Sequence, residues 1–245
     1  MIGMTVLRIL AAAWFLAAAS PVLADEPCPM PEALRLHDIR LPASRAAWVQ
    51  QHRLVILTLG GALTAGKFMN DPAATYPARL QAELRAELGA ESITVINMAK
   101  PGNTAADISP SLPDVLVQTG ANLVIWGPGG RDVALRLDQR EFQRAVDDGI
   151  VATRGAGADL LLMDMTYLPS PTRMALVAPY RDRLRRSAEE NHVPFLPRHD
   201  LMHLWADDRT LDLDARTDAD RAQVARRLLS CMAQSLAAPI AAAVR

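Results

Sequence analysis

The chain has 245 residues, half of them apolar, with 26 basic side chains against 27 acidic ones. That is enough chain for one globular domain with a sizeable core. A balance this even excludes the basic surface that a nucleic-acid partner would need.

Residues 1–24 have the form of a secretory signal. Arg8 supplies the basic start, ILAAAWFLAAA the apolar run, and PVLA the small residues before a cut after Ala24. The apolar run is shorter than the ~20 residues a membrane span needs. Cleavage would leave 25 basic against 27 acidic side chains, a net charge of −2. No later segment is expected to cross a bilayer, so the mature protein is expected to be exported, periplasmic or secreted. Export gives meaning to the only two cysteines, Cys28 and Cys231. An even pair in an oxidising compartment predicts a disulfide between the N-terminal arm and the last helix. Such a bridge closes a loop worth roughly 4–5 kcal/mol in the chain-entropy model.

After an arm over 25–52, proline-rich from 27 to 42, strand-like and helix-like segments alternate through a single domain over 53–245. LVILTL (54–59) reads as a strand and YPARLQAELRAELG (76–89) as a helix, with Leu80, Leu84 and Leu88 on one face and Gly89 as its stop. ITVINM (93–98) is the second strand, and a short helix is expected within 105–118. LVIW (123–126), DLLLMDM (159–165) and VPFL (193–196) are the remaining strands. Helices over 140–155 and 173–192 separate them, and a long helix from about Asp218 closes the chain. Five apolar strands joined through helices predict a parallel sheet covered on both faces, a three-layer α/β/α sandwich of flavodoxin-like type. In such folds ligands sit at the carboxyl ends of the strands. The segments that matter are therefore GGALTAG (60–66), AKPGNTAAD (99–107), GPGGRD (127–132) and the turn before the last helix.

Those segments, with TYPARLQAELRAELG, ITVINMAKPGNT, NLVIWGPGG, VPFLPRHDLMHLW and the Cys-x-Ala of Cys231 to Ala233, resemble the SGNH (GDSL) hydrolases, and an exported proteobacterial branch of them. The likeness spans almost the whole mature chain. It implies ester hydrolysis by a serine nucleophile, a glycine N–H and an asparagine for the oxyanion, and a histidine base supported by an aspartate. Carried onto this sequence, the serine falls on Ala62, within Gly60, Gly61, Ala62, Leu63 and Thr64. The glycine falls on Gly102 and the asparagine on Arg131. The D-x-x-H turn falls either on Asp212 and Ala215 or on Asp220 and Gln223, neither of which contains a histidine.

Losing a triad serine or histidine costs on the order of 10⁶ in kcat. What survives such losses is a residual ~10³–10⁴ over water from binding and the oxyanion hole. The expectation is a non-catalytic protein whose pocket, formed by Gly60, Gly61, Ala62, Gly102, Asn103, Gly130 and Arg131, holds a ligand. A glycan or small anionic ligand, or an envelope protein, is the expected partner. The alternative is a divergent esterase with a rearranged nucleophile or a metal-bound water.

Thr64 reads as a helix cap, and Ser109 and Ser111 lack an identifiable base. His199 and His203 are four apart, as on one helical face, but a zinc site needs a third ligand. Leu201, Met202 and Trp205 are expected to pack inward around them. His37, His52 and His192 have no partner pointing to chemistry. No cofactor or metal is expected. Arg131, among Gly127, Gly129 and Gly130, could grip a carboxylate or phosphate, pair with Asp132 or another acidic residue, or point to water.

Overall fold

The computed structural model describes residues 27–67, 69 and 71–245. The expected signal segment lies outside the described residues. Five parallel strands, β1 (Leu54–Gly60), β2 (Ile93–Asn97), β3 (Leu123–Gly127), β4 (Asp159–Met163) and β5 (Phe195–Leu196), form one sheet in the order β2-β1-β3-β4-β5. The order reverses at β1 and β3, so their carboxyl ends flank a crevice. The register pairs Gly60 directly with Gly127 there.

Nine helices accompany the sheet among the described residues. They are α1 (Pro42–Gln51), α2 (Tyr76–Leu88), α3 (Ala105–Ile108), α4 (Leu112–Thr119), α5 (Gly130–Leu135), α6 (Gln139–Gly155), α7 (Pro171–Glu190), α8 (Arg198–Asp207) and α9 (Asp218–Val244). Local chemistry sets several boundaries. The Thr75 side chain accepts from the Ala78 N–H to start α2, and Gly89 ends it in the left-handed conformation. Asp138 takes two backbone N–H groups at the start of α6. Thr217 caps α9 by accepting from the Asp220 N–H.

Alternate strand residues enter two cores. Leu54, Ile56, Leu123 and Ile125 pack with α2, α8 and α9 on one face, while Val55, Leu57, Val124 and Trp126 pack with α4, α6 and α7 on the other. Each fully buried strand side chain contributes about 1.5–3 kcal/mol of transfer energy. The two-sided burial explains why β1 and β3 are apolar without alternation.

The Cys28–Cys231 disulfide is present, with Cα atoms 5.4 Å apart across 203 positions. The arm is also tied by the Cys28 N–H, donated to Gln234 Oε1, and by Trp205 Nε1, donated to the Pro29 carbonyl. Two local readings need correction. Thr64 caps no helix, because α2 begins only at Tyr76 under Thr75, and the Thr64 side chain is buried. By length and hydropathy α9 does qualify as a span, but 67 % of its apolar window is buried inside the molecule. It is a core helix, packed on α2 and the sheet.

Candidate functional site

β1 ends in a tight elbow. The Ala65 N–H bonds to the Gly61 carbonyl and the Lys67 N–H to the Ala62 carbonyl, so the chain makes a helix-like turn and then leaves it. A Cβ on Gly60 would lie 2.6 Å from Thr64 Oγ1, so only glycine lets the turn fold back onto the strand. Asn97, at the end of β2, pins the turn by donating from Nδ2 to the Thr64 carbonyl at 2.9 Å.

The neighbouring segments are built with similar economy. Thr104 and Asp107 form a reciprocal capping box at the start of α3. Its hydrogen bonds, first the Thr104 N–H and then the Thr104 hydroxyl, hold the Asp107 carboxyl below the usual carboxylate range, with a further small contribution from Arg131. Gly129, with φ of +101°, turns the chain into α5, and a Cβ there would meet Met165 Cε at 2.0 Å.

These segments converge. A cleft of about 300 Å³ is lined by residues 60–62, 101–105 and 127–131, with Ile108 and Ala134. Ala62, Gly102 and Arg131, which the sequence placed at the nucleophile, glycine donor and asparagine positions, thus line one cavity, together with Gly60, Gly61, Asn103 and Gly130. Arg131 is the one charged side chain among these lining residues, and it is exposed. It does not pair with Asp132. That carboxylate is buried and accepts from the Ala105 N–H, tying α5 to α3, and burial pushes its pKa up.

No part of the turn before α9 lines the cleft. Asp212 accepts from the Asp214 N–H at 3.1 Å within its own exposed turn. Asp220 accepts from the Thr217 hydroxyl at 2.6 Å at the start of α9. The cleft lining holds no serine, cysteine, histidine or carboxylate. Its one hydroxyl, on Thr104, donates to Asp107 Oδ2 at 2.7 Å. Ser109 is buried, and Ser111 donates to the Ile108 carbonyl.

The histidine pair behaves differently from a metal site. His199 is buried edge-on to Tyr167, and His203 lies tilted over the same ring at 4.7 Å while its Nε2 faces Asp207 at 3.5 Å. Among the described residues no group of three His, Cys, Asp or Glu side chains is placed to hold a metal ion. Leu201, Met202 and Trp205 are buried as expected.

Sequence reasoning passed over a second polar cluster, beneath the elbow. Arg198, at the start of α8, is only 5 % exposed, and its guanidinium lies 3.5–3.8 Å from where a Gly127 Cβ would be. Tyr76, 1 % exposed, and the buried Thr58 and Thr64 stand beside it. Further out, Arg181 makes a two-pronged contact to the fully buried Asp164 and a 2.7 Å bond to Asp200, which also faces Arg185 and His199. The one available signal was an arginine directly after the apolar strand segment VPFLP.

The comparisons agree with this geometry. The model of the non-GDSL lipase-like family matches residues 27–245. Among solved structures, the chain resembles TesA at 19 % identity and a TM-score of 0.57, covering 73 % of this chain and 97 % of that one. It resembles the psychrotrophic esterase EstA from Pseudoalteromonas sp. at 18 % identity and a TM-score of 0.56, over 73 % and 96 % of the two chains. An acetyl xylan esterase, AlAXEase, matches at 16 % identity and a TM-score of 0.58, over 72 % and 98 %. At these identities the likeness establishes the fold. No curated protein matches the sequence significantly. An elbow, a glycine turn and a β3 turn brought together on a 2-1-3-4-5 sheet, with a family match over nearly all the described residues, make this chain a member of the non-GDSL lipase-like family within the SGNH hydrolase superfamily.

Proposed function

We propose that this protein is an exported, non-catalytic SGNH-fold binder. In this reading the former ester pocket takes an acidic group of an acylated or acidic glycan in the cell envelope. One observation carries the reading: the cleft brings Ala62, Gly102 and Arg131 together, and its lining offers a single cation, Arg131, and no serine, cysteine, histidine or carboxylate. A guanidinium at the asparagine position favours a group already carrying negative charge over one that develops charge during reaction. The disulfide supports export, because such bridges persist in oxidising compartments.

Exposure of Arg131 limits its contribution. A solvent-accessible ion pair is worth up to about 1 kcal/mol, or roughly fivefold in affinity. Titration with oligomers of a hexuronic acid, and with the matching neutral hexose oligomers, tests the reading. The acidic series should bind more tightly, and Arg131→Ala should remove most of that preference while leaving the unfolding midpoint unchanged. Arg131→Lys should recover part of it. Equal affinity for both series in the wild-type protein would overturn the reading in favour of an envelope-protein partner at a vestigial pocket.

A further inference from the structure

Arg198 is a buried cation with no direct ion pair, attracted only at a distance by Asp164. Its guanidinium makes no hydrogen bond or ion pair to any described residue, and Nε is fully enclosed with no partner. Guanidinium stays protonated in proteins, and burying an ion without a partner costs several kcal/mol even after relaxation. The nearby carboxylates do not answer it. Asp164 is fully buried and committed to Arg181 and to the Met165 N–H, and Asp200 is shared among Arg181, Arg185 and His199.

A second polar group in the same place is also unsatisfied. Tyr76 Oη is buried and makes no well-formed hydrogen bond, though the Thr58 and Thr64 hydroxyls lie near enough to interact with it. Burial pushes the Tyr76 hydroxyl's pKa upward, so it remains a neutral donor and cannot serve as the counter-charge. Two buried donors, one of them cationic, therefore lie together beside Thr58 of β1 and Gly127 of β3. Water could satisfy their hydrogen bonds but could not neutralise the charge.

We propose that this space is a binding site for a small monovalent anion, a halide or a single carboxylate of formate size, held by the Arg198 guanidinium and the Tyr76 hydroxyl. The anion sits under the elbow on the α2–α9 side of the sheet, so it braces the floor of the cleft from below. The site is independent of the ligand reading given for Arg131, which lies on the cleft wall.

Thermal unfolding at constant ionic strength tests the site, starting in sodium gluconate, whose anion is too large to enter, and exchanging it stepwise for sodium bromide or sodium formate. Ligand that binds only the native state raises stability by mass action. The wild-type midpoint should therefore rise saturably, by roughly 5 °C at a hundredfold excess over Kd. Arg131→Ala should keep the full response. Arg198→Met should abolish it, and if that variant does not fold, Tyr76→Phe carries the test by shifting half-saturation to about fivefold higher anion or more. Crystals soaked in bromide should show an anomalous peak within hydrogen-bonding reach of Arg198. Identical midpoints in gluconate, bromide and formate, or a response unchanged in Tyr76→Phe and Arg198→Met, would overturn the proposal, as would bromide-soaked crystals showing only water beside Nε.

Discussion

That Ala62, Gly102 and Arg131 line one cleft was legible residue by residue, because each sits in a short segment whose glycines dictate the backbone. The elbow must be glycine at position 60 for steric reasons that hold whether or not a serine follows. Side-chain direction was not legible. Sequence adjacency offered Asp132 as a partner for Arg131, but a helix's first turn points neighbours to different sides, and Asp132 faces the buried Ala105 N–H. The same limit hid Arg198, since a buried charge is recognisable only once its surroundings are assembled.

His199 carries a prediction at this scale. Burial, and next the positive charge of Arg181, hold its pKa below the ordinary value, against the opposing pull of Asp164 and Asp200. The unfolded chain titrates near 6.5, so it takes up the proton before the folded protein does. Stability should fall as pH drops below about 6.5, until the lower native pKa is reached. Urea unfolding of wild type and His199→Gln at pH 7.5 and 5.5 measures this. The wild-type loss should exceed the variant's, by up to about 1 kcal/mol, and equal losses would exclude His199 as the cause.

At the scale of elements, the strands and the long helices were readable from periodicity and caps, because two-sided burial and 3.6-residue spacing leave plain marks. α1 was not, and the reason is tertiary. Its apolar pattern is weak, and its start is held from outside by Asp159 on β4, which accepts from the Ser44 N–H and hydroxyl, each at 2.8 Å, and from the Ala43 N–H at 3.3 Å. α9 shows the converse, a helix apolar enough to cross a membrane whose apolar surface is used inside the fold. The disulfide fastens this helix to the arm, and Cys231 is itself wholly buried. Replacing both cysteines with alanine should lower stability by roughly 2–5 kcal/mol, read from denaturant midpoints against the oxidised wild type. A change below 0.5 kcal/mol would mean that the hydrogen bonds of Cys28 and Trp205 hold the arm alone.

For the whole molecule, fold and chemistry separate. The doubly wound sheet is the fold shared with solved esterases, while serine, cysteine, histidine and carboxylate side chains are missing from the cleft's lining. A fold of this kind does not carry an activity by itself. The claim that the site binds and does not turn over is tested most directly by the hydrolysis of short-chain aryl esters by purified mature protein, beside an equal concentration of inert protein. Restoring the hydroxyl alone should not help, because no histidine lines the cleft to activate it. Wild type and Ala62→Ser should both stay at the rate of the inert control, whereas a kcat near 1 s⁻¹ or above, the low end of ordinary enzymes, would contradict the account.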